Sequence, residues 1–370
     1  MCESRINEAK WDRGPAKYFH GRKEILRDFR ELLECSVQEK SGTIFLIQGA
    51  PGAGKSALLH ECGELARGTG WEVAELRYSA SSFWDPVMMS EDMGDSGIKV
   101  KKRFPTVLDL LRSGESPLLL MEDEVQCFRL FPHPPTARGV TMASVLNAIH
   151  HGKLNRPVIL ATAGLGISAE VFASFGISRF KEKCLVELGS LDKEAERAVM
   201  HDWLTKHGEA NGDPAPWIDA ITRETHGWPC QIMWYMADAV EQLWANNGAM
   251  TAEGLDTVLK EGREYQDRYC GHQVRGFDSG GLSTIANLFA KAPLGEGIPR
   301  ETILDALQED PMAFGEAEDI LHHAVHKGVL DGRAGRYVVS TPTLQEWLVD
   351  YHGRFRKRRG PLRLAHHSPT

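Results

Sequence analysis

The chain has 370 residues, 42% hydrophobic and 25% charged, with a formal net charge of −8. That composition belongs to soluble globular proteins and excludes collagen-like, coiled-coil and wholly disordered chains. At roughly 100–200 residues per domain, the length predicts two or three domains with a large buried core. The apolar runs at 43–47 and 158–161 have strand length, short of the ~20 residues a membrane helix needs, so no membrane segment is expected. The charged opening MCESRINEAKWDRG predicts no secretory signal. Seven scattered cysteines without a CxxC are expected to be reduced thiols of a cytoplasmic protein.

In chain order, residues 21–34 (GRKEILRDFRELLE) set Ile25, Leu26, Phe29, Leu32 and Leu33 on one stripe of an amphipathic helix. After Gly42, residues 43–47 read as a strand buried on both faces, because the apolar run is continuous rather than alternating. A glycine-rich turn leads into a helix with Leu58, Leu59, Cys62 and Leu65 on one face. Further strands are predicted at 72–78, 118–121, 158–162 and 184–188, and the long crossovers between them predict a parallel α/β sheet. From Leu191 the pattern is helical only, at 192–207, 214–225, 230–246 and 252–268. Residues 275–281 (RGFDSGG) read as a linker. Helices at 282–291, 300–307 and 315–327 then precede a strand–turn–strand (VLDGRAGRYVVSTP) and a closing helix near 344–351. This is the order of a winged helix-turn-helix.

Charge is unevenly spread. Residues 352–363 (HGRFRKRRGPLR) hold six cations and no acid; without them 37 cations face 51 acids. Such a basic tail contacts a polyanion or tethers to an acidic surface. Between Phe277 and Asp350, twelve acids outnumber five bases, and the third helix carries Glu316, Glu318 and Asp319. A duplex presents closely spaced phosphates, so this segment reads as a protein-contact module more than a base reader. Arg333, Arg336 and the tail still suit a grip on a nucleic-acid backbone. Lys99, Lys101, Lys102 and Arg103 make a basic run, either a solvated loop or a substrate-contacting one. His322, His323 and His326 lack the further ligands a zinc site needs.

Residues 49–56 (GAPGAGKS) match GxxxxGK[ST] in full, between a buried strand and an amphipathic helix. Gly49, Ala50, Pro51, Gly52, Ala53 and Gly54 leave room for successive backbone N–H groups to point at phosphate oxygens. The helix that follows, with Ala57 in its first turn, presents the positive end of its dipole. Lys55 supplies a charge for the β- and γ-phosphates, and the Ser56 hydroxyl suits Mg2+. Residues 117–124 (PLLLMEDE) form an apolar strand ending in three acids, where a doubly wound sheet binds its ligand. Asp123 is assigned to magnesium, through water, and Glu124 to polarising the attacking water; Glu122 and Asp123 are the alternative pair. Thr162, polar within an apolar run, is read as a partner of the γ-phosphate or the lytic water, or of its own backbone.

Together these residues resemble the AAA+ ATPases over about residues 18–351, most nearly the initiator-like members and the STAND signalling ATPases of bacterial and archaeal defence and mobile-element proteins. The resemblance implies further roles. Tyr18-Phe19-His20-Gly21-Arg22 is similar to the F-x-G-R box, putting Gly21 and Arg22 near the adenine. Asp123-Glu124-Val125-Gln126 is similar to the DE-x-Q Walker B, and Thr162 falls at the sensor-1 position. Arg179 sits where the family has its arginine finger. Helices 192–268 resemble the four-helix lid, and His226-Gly227-Trp228-Pro229 resembles the GxP motif whose proline, here Pro229, contacts the base. Initiator-like members carry a sensor-2 arginine next, whereas Cys230 and Gln231 stand here. That departure implies slow turnover or a nucleotide switch.

The expected fold is an α/β P-loop NTPase with a parallel sheet, a helical lid and a C-terminal winged helix-turn-helix. Its parts are a lead-in (1–17), a nucleotide-binding core (18–190), a lid (191–274), a winged helix (275–351) and a basic tail (352–370). The expected ligands are ATP or ADP with Mg2+, and the expected function is an ATP-hydrolysing switch that self-associates and acts on a protein partner. The alternatives are a DNA-binding ATPase of initiator, loader or transposition-regulator type, gripping through the wing and 352–363, and a binding module in which ATP is structural.

Overall fold

The computed structural model describes residues 16–76, 111, 114–125, 142–151, 154–277, 279–311, 313, 315–333 and 335–359, with backbone alone at 333, 352 and 354–359. Most of the lead-in, the basic run at 99–103, Gln126 and residues 360–370 of the tail lie outside them. The chain divides into two compact units, Met1–Leu259 and Lys260–Thr370.

In the first unit, α1 (Lys23–Glu39) turns Phe29 and Leu33 inward, as its apolar stripe predicts. β1 (Gly42–Gly49) is buried along its whole length and runs into the loop before α2 (Lys55–Gly68). There follow β2 (Glu72–Leu76), β3 (Leu118–Glu122), α3 (Met142–His150), β4 (Val158–Gly164), α4 (Ser168–Ser174) and β5 (Leu185–Leu188). The five strands form one parallel sheet in the order β2-β3-β4-β1-β5. Alternate side chains serve its two faces. Phe45, Ile47, Leu119, Met121 and Ile159 pack with α1 and α2; Ile44, Leu46, Leu118, Leu120 and Leu160 pack with α3 and α4. Covering both faces is what makes the inner strands β1, β3 and β4 read as nearly unbroken apolar runs. The strand order reverses around β1, so the crevice beyond the C-terminal ends of β1, β3 and β4 is the position where such sheets bind ligands.

Next come α5 (Lys193–Asp202), α6 (Ala215–Thr225) and α7 (Pro229–Ala245), which close a second core around Met200, Trp203, Trp217, Ile232, Tyr235 and Leu243. The single helix expected over 192–207 changes to π-helical geometry at Trp203–His207, where the His207 ring sits between Trp203 and Trp244. The division between the compact units falls inside α8 (Ala252–Gln273), and within the first unit the start of α7 bonds directly to the loop after β1.

The second unit contains α9 (Ser279–Phe289), β6 (Ile298–Pro299), α10 (Arg300–Glu309), α11 (Ala317–His326), β7 (Leu330–Arg333), β8 (Arg336–Val339) and α12 (Pro342–Arg359). The short strands form an antiparallel sheet in the order β6-β8-β7 beside a core of Ile285, Phe289, Ile303, Leu321, Leu344 and Leu348. Two expectations need correction. The linker expected over 275–281 is partly helix: Gly280 and Gly281 are buried in the first turn of α9, where the lack of side chains suits close packing. The closing helix does not stop near 351 but runs to Arg359, so the basic tail begins inside it. Leu344 and Leu348 anchor α12, while arginine and lysine are strong helix formers whose charge suits a helix C-terminus.

Candidate nucleotide-binding site

The loop after β1 turns through Gly52 and Gly54, both with left-handed backbone (φ 78° and 86°), and Gly54 caps α2. Gly52 is required by space as well as conformation: a Cβ there would lie 2.2 Å from the Cys230 sulfur. Lys55 opens α2 and curls back over the loop, its Nζ donating to Ala50 O at 2.9 Å. Next to it, Ser56 Oγ donates to Asp123 Oδ2 at 2.6 Å. Two residues 67 positions apart therefore meet at the sheet edge.

That contact separates the three acids. Asp123 stands against Ser56, and its other oxygen accepts the Glu124 amide at 2.8 Å. The bond holds Glu124 in left-handed backbone, φ 60°, rare for a non-glycine residue and frequent at functional sites. Glu124 is exposed and lines the cleft. Glu122, 1% exposed, is buried within β3 opposite Thr162.

The cleft has a volume of about 500 Å³. It is lined by residues from Pro51 to Ala57 with Glu124, while Gly49 and Ala50 are buried. Tyr18, Phe19, Leu191, Ile232, Met233 and Trp234 add an apolar and aromatic lining. The segment bearing Tyr18 and Phe19 is fastened by His20 Nε2, 3.0 Å from Asp202 Oδ2, a carboxylate that Lys206 also meets at 2.8 Å. Burial raises the Asp202 carboxyl, but Lys206 and His20 more than reverse this and leave it below the usual range. Gly21 lies in the turn before α1. Arg22 reaches the cleft and donates to Gly189 O; burial lowers its guanidinium from the ordinary value, partly opposed by Asp192.

Pro229 lines the cleft at the first turn of α7, beside Gly54. Trp228 and Cys230, not singled out as site residues in the sequence, bind the loop itself: Trp228 Nε1 donates to Pro51 O at 3.1 Å and Cys230 N to Gly52 O at 3.2 Å. A tryptophan between a glycine and a proline ahead of an apolar helix was the available signal. Thr162 and Arg179 are not brought to this cleft. Thr162 is fully buried with Oγ1 3.5 Å from Phe45 O, and Arg179 is exposed between α4 and β5. Among the described residues lining the cleft, the arginines and lysines are Arg22 and Lys55.

The Ser56 hydroxyl and the Asp123 carboxylate beside it are oxygen donors, which fits a hard oxygen-seeking cation such as Mg2+. The cleft volume is within the range for small-molecule sites, and a lining that combines loop residues, Lys55 and aromatic side chains fits a nucleotide.

No family model matches the sequence, and no curated protein matches it. Solved structures do match the fold. A Walker-type ATPase of Pyrococcus abyssi superposes with a TM-score of 0.61 at 14% identity, covering 92% of this chain and 99% of that one. The Aeropyrum pernix ORC2 protein in its ADP form gives 0.59 at 14% identity, covering 94% and 98%; its ADPNP–ADP complexes give 0.56, covering 95% and 98%. The fold is shared with these Walker-type ATPase and ORC2 structures. Among the described residues, no helix is long and apolar enough to cross a membrane.

Proposed function

We propose that this chain binds Mg·ATP in the cleft at Gly49–Ala57 and hydrolyses it, and that the nucleotide state controls self-association and contact with a protein partner. One observation carries the reading: the Ser56 hydroxyl, which lines the cleft next to Lys55, and the Asp123 carboxylate meet at 2.6 Å. The loop amides and the α2 N-terminus receive the β-phosphate, and Lys55 exchanges the Ala50 carbonyl for the β/γ-phosphates. Ser56 and Asp123 are the residues suited to hold Mg2+, which when bound neutralises charge on the phosphates. Glu124, fixed by its own amide on Asp123, accepts a hydrogen bond from the attacking water and aligns it for in-line displacement. Stacking and burial at Tyr18, Phe19, Met233 and Trp234, with Arg22 and Pro229 alongside, receive the base, while Gly21 packs against Ala195 of α5. Thr162, sealed between β1 and β3, acts on the γ-phosphate only through the strand end it supports.

Arg179 is exposed and outside its own cleft, which suits a finger donated to a neighbouring subunit. With cysteine and glutamine where initiator-like members have a sensor-2 arginine, the isolated subunit turns over slowly and assembly completes the site. The core of 18–190 and the lid of 191–274 then form the moving pair, and 275–351, with its helix–helix–hairpin order, the winged helix. The test is native mass with and without ATP for wild type and Glu124→Gln. The variant is expected to bind ATP, fail to turn it over and accumulate the assembled form; turnover at the wild-type rate would remove Glu124 from the chemistry.

A second reading, duplex DNA as the partner, is favoured by one observation. α12 is continuous to Arg359, so Arg354, Arg356, Lys357, Arg358 and Arg359 follow one another on a single helix end. Against it stand the acids of α11, where Glu318 already pairs Arg300, and Arg336, which is engaged on the Gly297 carbonyl.

A further inference from the structure

The phosphate loop is held from the helical side as well as from the sheet. Pro51 O and Gly52 O accept their bonds from Trp228 Nε1 and Cys230 N, at 3.1 and 3.2 Å. A peptide unit is planar and trans, so its C=O and N–H point in opposite directions. Fixing those two carbonyls toward α7 therefore fixes the orientation of the Gly52 amide, a donor a triphosphate needs, and of the Ala53 amide, which without ligand donates to Ala50 O at 3.3 Å.

What aims Trp228 is the turn between α6 and α7. His226 and Gly227 are both left-handed, φ 48° and 74°. No other residue fits at Gly227, where a Cβ would lie 2.7 Å from Leu191 O. The turn is clamped from both sides. Leu191 N donates to Gly227 O at 2.8 Å, and Gly227 N donates at 2.9 Å to Glu196 Oε1, which also takes the Thr225 hydroxyl at 2.9 Å. Glu196 reaches in from α5 and is 3% exposed. A carboxylate is a costly closure for a buried turn, but its two bonds are charge-assisted and stiffer than neutral ones.

We propose that Glu196 is a positioning residue for nucleotide binding: it holds the His226–Gly227 turn in the form that lets Trp228 and Cys230 set the phosphate loop. The proposal rests on the ATP reading above and adds a residue outside the cleft to that site. It makes the α5–α7 helices a working part of the phosphate site rather than a cover for the base.

The experiment titrates wild type, Glu196→Gln, Glu196→Ala and Trp228→Phe with ATP and, separately, with inorganic tripolyphosphate, and records a thermal melt for each. Glu196→Ala is expected to weaken both ligands by about tenfold, the equivalent of one buried hydrogen bond. Trp228→Phe, which leaves the Glu196 bonds to the turn in place and removes the indole donor together with some buried ring volume, should do the same. Glu196→Gln keeps an acceptor oxygen for both bonds and should restore binding close to wild type. Equal losses for the two ligands put the defect at the loop and not at the base. If Glu196→Ala does not fold, Trp228→Phe decides: wild-type affinity for tripolyphosphate overturns the proposal. So does Glu196→Ala binding both ligands normally, or losing ATP alone. Wild-type protein that binds neither ligand refutes the ATP reading itself and the proposal with it.

Discussion

Replacing Lys55 by alanine removes the ammonium that now rests 2.9 Å from Ala50 O. With a phosphate oxygen about 4 Å from that ammonium and an effective dielectric near 20, the lost attraction is about 4 kcal/mol per unit charge. At 1.4 kcal/mol per decade this is about a thousandfold in ATP affinity. The unliganded protein loses far less: one hydrogen bond, about 1 kcal/mol, or about 2–4 °C in melting temperature for a unit of this size. Calorimetric titration with Mg·ATP, beside a thermal melt, reads both quantities on one preparation. Lys55→Met keeps the length of the side chain without its charge and should behave like alanine, which separates charge from packing. An affinity loss below about tenfold in a cooperatively folded variant would mean that no phosphate sits against this ammonium.

Further outcomes follow from the same geometry. Arg179→Ala should leave ATP affinity unchanged and slow turnover, and the wild-type rate per subunit should rise with protein concentration; a concentration-independent rate unaffected by the substitution would return Arg179 to the surface. Burial pushes the Glu196 carboxyl up, with Thr225, Gly227, His226 and Arg197 pulling it down. A carboxyl raised on folding contributes stability that is full below its unfolded value, near ~4.3, and is lost as pH rises through the folded value. Glu196→Gln should therefore gain stability relative to wild type as pH rises above about 4, and a difference flat in pH across urea melts would contradict the burial argument. Deleting residues 352–370 should abolish any salt-dependent binding to random duplex while leaving ATP turnover intact; duplex binding that survives with the same salt slope would shift the contact to another surface.

Much of this molecule was legible before any coordinates. The three inner strands of the parallel sheet stand out as short apolar runs such as TIFLI and PLLLM, because a strand covered on both faces has no polar side to show, whereas the edge strands β2 and β5 carry glutamates. The loop GAPGAGKS is equally plain, since its small residues and its Lys-Ser pair answer to a local backbone geometry. Local propensity was less informative at element ends. Gly280 and Gly281 look like a linker and are buried helix, and α12 passes through a stretch that reads as a loose tail.

Only the fold could choose among Glu122, Asp123 and Glu124. One residue of register flips a side chain across a sheet, and β3 ends so that Glu122 is sealed inside while Asp123 meets Ser56. The roles of Trp228, Cys230 and Glu196 were likewise out of reach, because each depends on partners about 30 to 180 positions away in the chain. The chain's composition and periodicity thus determined which elements form and which loop can cradle phosphate. The packing of those elements decided which carboxylate faces that loop and which helix holds it, because long-range partners leave no periodic trace in a sequence.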